Sequence, residues 1–311
     1  MQVEKDTFPK KEESKKSKLL KLLFKIVITI LCFWYISSKI DFSKSLQTLE
    51  NANWGYLAIA VLLYFISKIV ASYRLNIYFK NTQLHLSGTT NFKLYLLGLF
   101  YNLFLPGSIG GDAYKVILLK RRLQAPYRKT SAAVLLDRFT GLLGLGLVLC
   151  FYSFLVLSKT SYALGLLSAF LVITAVSFFV IKKWFPVFLP GFWPTFFWGL
   201  IVQVFANISA YAIMLSLGIT IHLSEYMFIF LIASVAAVLP LTLGGLGARE
   251  IVFYQLSNYF NLDVHSSVLI GLLFYFMTFI TSATGLVYIF KDPFTGSKNK
   301  NDLKTFKENI T

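Results

Sequence analysis

The sequence predicts an all-α polytopic membrane protein with about six spanning helices plus two oppositely oriented re-entrant hairpins, arranged as an inverted-topology repeat. Three observations lead there. Of the 311 residues, 56% are hydrophobic and only 14% charged, with a mean hydropathy of +0.66; a soluble domain carries about 25% charged residues. The bases are segregated: 24 of the 30 Lys and Arg residues fall in five segments of the chain. A helix-breaking pattern also occurs twice, as Leu105-Pro106 with Gly110-Gly111 and as Leu239-Pro240 with Gly244-Gly245.

In chain order, residues 1–19 form a basic tail, 20–290 a transmembrane domain and 291–311 a polar tail. Apolar segments lie at 20–37, 54–73, 92–106, 131–157, 162–181, 195–217, 226–240, 251–260 and 266–290. The positive-inside rule assigns their sides. The start of the chain to Lys25, the stretch from Arg74 to Lys93, residues 112–129, Lys182-Lys183 and the tail from Lys291 are the basic segments, and both termini become cytoplasmic. The nearly neutral connections 38–53, 158–161, 218–225 and 261–265 face outward. Segment 92–106 then begins and ends inside, and 226–260 begins and ends outside. Each is a hairpin that dips in and returns, entering from opposite faces. The repeat halves are about 20–157 and 162–290.

Backbone at membrane depth must be hydrogen-bonded within the protein unless it lines a wet cavity. Proline therefore ends an incoming half-helix at Pro106 and Pro240, and glycine allows positive φ and the close approach of a ligand. The returning half-helices start near Gly111-Asp112 and Gly247. Free N–H groups at such starts favour anions. A packing kink with closely approaching helices, Gly107 and Gly111 being so spaced, is the competing explanation.

Charges inside apolar segments mark candidate sites. They are Lys68, Lys115, Asp137-Arg138 and Arg249-Glu250. Adjacent residues on a helix point about 100° apart, so Arg138 and Arg249 are expected to face a cavity, while Asp137 and Glu250 meet partners on other helices. Arginine suits phosphate through its bidentate fork. Lys68 and Lys115 would otherwise snorkel, and the acid-base pairs would be structural. Cys32 and Cys150 sit in apolar segments, and His85, His222 and His265 read as loop residues. The sequence points to no metal, no cofactor, no nucleophile-base set and no nucleotide motif. The net charge of +16 lies at membrane borders, which reads as topology and anionic lipid rather than nucleic acid.

The stretches "NLFLPGSIGGDAYKVILLKRR", "AAVLLDRFTGLLGL" and "VLPLTLGGLGARE" resemble the flippase-like transmembrane region of bacterial lysylphosphatidylglycerol synthases over roughly residues 20–290. The resemblance points to Asn102, Pro106, Gly110, Asp112, Asp137, Arg138, Pro240, Gly244, Gly245, Gly247 and Glu250. Together with Gly111, Lys115 and Arg249 they form the expected substrate-binding set. The family implies movement of a lipid between leaflets: a phospholipid, an aminoacylated phospholipid or a polyprenyl-phosphate carrier. The synthases carry a soluble aminoacyl-transfer domain after this region, and this chain ends about 20 polar residues beyond its last apolar segment. The expectation is therefore a transporter in the cell membrane rather than a transferase. Its expected partners are a membrane lipid and a homo-oligomer or a separate synthase or glycosyltransferase. An intramembrane lipid-modifying enzyme and an accessory subunit are the competing functions.

Overall fold

The computed structural model describes residues 47–104, 110–238 and 245–295, together with residues 23, 26, 27, 30, 31, 34, 35 and 38. Regular structure among the described residues is helical throughout. Helix α1 (Trp54–Asn81) is capped by Asn53, whose side chain accepts from the Gly55 N–H at 2.9 Å. It stops where Gln83 takes a positive φ of 64°. Helix α2 (Gly88–Phe104) starts under the Ser87 hydroxyl, which accepts from the Thr90 N–H. It is described as far as Phe104, and Pro106 follows two residues on.

Helix α3 (Gly110–Leu123) carries Asp112 in its first turn and Lys120, Arg121 and Arg122 in its last, the polarity that a helix dipole favours. Helices α4 (Tyr127–Val156) and α5 (Thr160–Trp184) follow, then a short 3-10 turn and α6 (Leu189–Ser216). Helices α7 (Leu223–Val238) and α8 (Ala248–Tyr259) flank the second break. Helix α9 (Val264–Ala283) is capped by Asp263, whose carboxylate accepts from the Ser266 N–H at 2.8 Å. A 3-10 turn leads from it into α10 (Val287–Phe290).

Five helical stretches are long and apolar enough to cross a bilayer: Trp54–Asn81, Tyr127–Val156, Thr160–Trp184, Pro186–Ser216 and Val264–Phe290. They match five of the expected spans; most of the sixth, 20–37, lies outside the described residues. Helices α2, α3, α7 and α8 have 17, 14, 16 and 12 residues. Each reaches about 18–26 Å, short of a hydrocarbon layer of about 30 Å.

One boundary differs from expectation with consequences. Helix α1 continues eight residues past 73 to Asn81, so Arg74 is not a loop cation but a buried side chain, 5% exposed. The run "SYRLNIYF" keeps its helix because its polar members face protein rather than lipid. Lys68, in consequence, sits about 20 Å from the C-terminal end of α1.

Helix α1 packs most extensively on α6, which also packs on α4. Helix α2 packs on its partner α3, and α7 on α8. Helix α9 touches α8, α1 and α2, and so joins the two helix pairs. One core cluster gathers Tyr64, Ile213, Phe230, Phe253 and Phe274; the other gathers Leu75, Phe79, Leu94, Leu119 and Phe192.

Glycine sets the tightest crossing. A Cβ on Gly111 would run into the Gly98 carbonyl and stand 2.8 Å from the Asn102 nitrogen. Gly111→Ala should therefore pry α3 from α2 and lower thermal stability in detergent by at least the roughly 1–3 kcal/mol of an overpacked core. Gly165→Ala, with open space around it, should be neutral or stabilising, since alanine is the better helix former by about 1 kcal/mol. Equal losses at both positions would refute the close-approach explanation.

Candidate functional site

At the first break the chain assembles a charged cluster from four helices. Asn102, at the end of α2, accepts the Gly111 N–H through Oδ1 at 2.9 Å and so ties the two limbs of the hairpin together. Asp112 sits in the first turn of α3, 5% exposed. Its carboxylate takes Lys115 Nζ at 2.6 Å and the Arg138 guanidinium on α4. Lys115 is 4% exposed and does not snorkel. It lies along α2 because residue 98 is glycine; a Cβ there would meet Lys115 Cε at 2.7 Å. The ammonium ends 5.0 Å from the centre of the Tyr95 ring.

Arg138 was expected to face a cavity and instead pairs with Asp112 while staying 32% exposed at its side chain. Its neighbour Asp137 turns the other way, to α1. Arg74 Nε and Nη2 donate to the two carboxylate oxygens of Asp137 at 2.7 and 3.1 Å. Room for that guanidinium comes from Gly141, where a Cβ would meet Arg74 Nη1 at 2.7 Å. The Asp-Arg dipeptide thus ties α4 to two different helices, α1 and α3.

At the second break Gly245 and Gly247 have φ of 85° and 88°, which L side chains rarely adopt. A Cβ on Gly245 would also stand 2.8 Å from the Ala237 Cβ. The first break uses its glycines differently: Gly110 and Gly111 lie within α3, and Gly111 serves close approach. Glu250 was expected to reach another helix. It turns back instead, accepting the Gly247 N–H through Oε2 at 2.6 Å. A glutamate three residues into a helix is the nearest acceptor for an unpaired N–H at its start. Its second oxygen, Oε1, is buried without a hydrogen-bond partner among the described residues, as is Arg249 Nε.

Arg249 belongs to a stack of rings and cations. Its guanidinium lies over Phe274 at 4.8 Å. The Phe274 ring meets Tyr64 edge-on at 5.1 Å, and Lys68 Nζ sits over the opposite ring partner, Tyr64, at 4.1 Å. The Tyr64 hydroxyl accepts from Thr278 on α9 at 3.1 Å. Tyr95 belongs to the first cluster, its ring beside the Lys115 ammonium.

Of the residues expected from sequence, Asn102, Gly111, Asp112, Lys115 and Arg138 come together at the first break, with Gly110 beside them and Asp137 one helix face away. Gly245, Gly247, Arg249 and Glu250 come together at the second. Pro106, Pro240 and Gly244 lie outside the described residues. Arg74, Tyr64, Tyr95 and Phe274 were missed. Arg74 could have been found as a cation in an uninterrupted helical pattern; the aromatics could not, in a chain with 17 Tyr and 31 Phe. His265 belongs to the first turn of α9 rather than to a loop, because Asp263 caps that helix earlier than hydropathy suggests. Among the described residues no group of three or more His, Cys, Asp or Glu is placed to hold a metal ion.

Comparison with known proteins agrees with this architecture over the first half of the chain. A sequence profile described as the lysylphosphatidylglycerol synthase TM region matches residues 22–192, which include the first break, Arg74 and the Asp137-Arg138 pair. The UPF0104 membrane protein PH1989 of Pyrococcus horikoshii is 25% identical over 123 residues, 39% of this chain and 36% of that protein. The matched stretch thus spans little more than a third of the relative's length. No solved structure matches the chain.

Proposed function

This chain belongs to the lysylphosphatidylglycerol synthase TM region family, and from that premise we propose that it moves a phosphate-bearing lipid between the leaflets of the cell membrane. The carrying observation is an excess of cations at both helix breaks. Around the first, Arg74, Lys115 and Arg138 face Asp112 and Asp137. Around the second, Lys68 lies over Tyr64 and Arg249 over Phe274, while Glu250 accepts the N–H of Gly247. Among the described residues each group holds one more basic than acidic side chain. An uncompensated cation at membrane depth is costly and marks a ligand or ion path. A phosphate headgroup supplies the missing charge, and Arg249 offers a buried Nε with no partner among the described residues to receive it.

The mechanism follows from the helix breaks. Two hairpins entering from opposite faces would place the starts of α3 and α8 towards each other near the midplane, where half-helix N-termini favour anionic groups. Asp112 holds Lys115 and Arg138 in place, and Phe274 and Tyr64 hold Arg249 and Lys68 apart. The headgroup would pass between these cations while its chains stay in the bilayer. The chain's own residues supply binding and orientation, and no bond of the lipid is made or broken.

The test is leaflet exchange of fluorescent lipids in vesicles reconstituted with the full chain. Exchange of phosphate-bearing lipids should exceed that in protein-free vesicles, and a matched lipid without phosphate should exchange at the protein-free rate. Equal acceleration of both would overturn the phosphate reading. Orientation is tested separately. With both termini cytoplasmic, Leu123→Cys should react with an impermeant thiol reagent only from the cytoplasmic side and Asn261→Cys only from outside. Labelling of Leu123→Cys from outside would make the first hairpin a full crossing and remove the inverted repeat.

A further inference from the structure

We propose that the path through the helix breaks selects lipid headgroups that carry a phosphate and no amine, and that Lys68 sets this preference. The inference rests on the phosphate reading above and narrows it. It excludes zwitterionic and aminoacylated headgroups as preferred substrates.

Lys68 lies at the middle of α1, about 20 Å from either end of that 28-residue helix. Half a hydrocarbon layer is about 15 Å, farther than a lysine can snorkel. The ammonium instead sits 4.1 Å from the centre of the Tyr64 ring. No carboxylate lies within ion-pair distance of it among the described residues. Lys68 is also only partly buried, whereas Arg74, Lys115 and Arg249 are buried. Arg138 is the other partly open cation of the breaks, and Asp112 already holds it. Lys68 is thus an open positive charge at mid-depth with an aromatic face beneath it and no acid beside it.

The acids point the same way. Among the described residues Glu50, Glu225, Asp263 and Asp292 lie at helix starts or in connections. The three interior carboxylates are all engaged or sealed. Asp112 is closed by Lys115 and Arg138, and both oxygens of Asp137 are taken by Arg74. Glu250 is 1% exposed, with one oxygen on the Gly247 N–H and the other enclosed in protein. A headgroup ammonium would therefore lose its water at membrane depth, meet cations and find no open carboxylate, which is costly. A phosphodiester without an amine accepts from Lys68 and brings nothing to be repelled. Selectivity comes as much from the missing acid as from the lysine.

The experiment uses the full chain in vesicles and three lipids with the same fluorescent acyl chain: phosphatidylglycerol, phosphatidylethanolamine and lysyl-phosphatidylglycerol. Phosphatidylglycerol should exchange fastest, phosphatidylethanolamine about 10-fold slower, the lower end for one charge-assisted contact, and the lysyl lipid slowest. Lys68→Met keeps the length and removes the charge, and should bring the ratio of the first two rates towards unity. Lys68→Glu should favour the lysyl lipid over phosphatidylglycerol. A purely structural lysine would lower all three rates together and leave their ratios unchanged. Equal wild-type rates for the three lipids, or an unchanged ratio in Lys68→Met, would overturn the proposal and leave the phosphate reading intact. An anionic lipid without phosphate that exchanged as fast as phosphatidylglycerol would overturn the phosphate reading and leave the charge preference standing.

Discussion

Arg249→Gln should nearly eliminate leaflet exchange of a phosphate-bearing lipid while the protein still folds and inserts. The guanidinium is 9% exposed, rests on the Phe274 ring and leaves Nε without a partner among the described residues. It makes no salt bridge whose loss would unfold the protein among those residues. What glutamine removes is a charge-assisted contact to the passing headgroup, worth on the order of 1.5–3 kcal/mol, or roughly 10- to 150-fold in affinity. Arg249→Lys keeps the formal charge but should also be impaired. An ammonium neutralises readily when desolvated and cannot lay a planar fork on Phe274. The measurement is exchange rate in vesicles at matched protein density, with gel filtration to check folding. Wild-type rates in both variants would sink the phosphate site at the second break.

Arg74 and Asp137 should show the opposite behaviour, with large effects on stability that cancel when both are changed. The pair is bidentate and each residue is 5% exposed. Arg74→Met leaves a carboxylate uncompensated inside the protein, and Asp137→Leu leaves a guanidinium; each should cost about 3–5 kcal/mol. The double variant replaces the pair with apolar groups of similar size and should recover most of that loss, because the desolvation of two charges disappears with them. Thermal unfolding in detergent of the four proteins closes the cycle. Simple additivity of the two losses would mean that the residues act through other partners. Partial exchange activity in a stable double variant would assign the pair to scaffolding; loss of exchange despite recovered stability would assign it to the lipid path.

The helix breaks were legible because they rest on local rules. Proline at 106 and 240 disfavours helix at the residue before it, and the described helices reach Phe104 and Val238, just short of each proline. The glycines that follow behave differently at the two sites, and only geometry reveals this. Gly245 and Gly247 take positive φ, whereas Gly111 sits in a helix and clears the way for the Gly98 carbonyl. The same four letters in two places thus serve two physical ends.

Charge partners were the least legible feature. Asp137 and Arg138 follow each other in sequence, and helical geometry alone says that they diverge. It does not say that Asp137 finds Arg74, 63 residues earlier, or that Arg138 finds Asp112, 26 residues earlier. Arg74 was assigned to a loop because the hydropathy of its surroundings falls, yet its polar neighbours Ser72 and Asn76 are buried in protein contacts. Glu250 shows the converse error: a local cap satisfied a group for which a distant partner was expected.

Composition, the sorting of bases to five segments and the doubled Pro-Gly pattern determined by themselves that this is a multi-pass helical membrane protein interrupted at two points. They did so because transfer of apolar surface into lipid and the cost of unpaired backbone there act on every residue alike. Tertiary structure alone decided which charges meet, and that Tyr64, Phe274, Lys68 and Arg249 form one stack. Those outcomes depend on the crossing of helices distant in sequence, and the crossings are set by where Gly98, Gly111, Gly141 and Gly199 let backbones and long side chains come close.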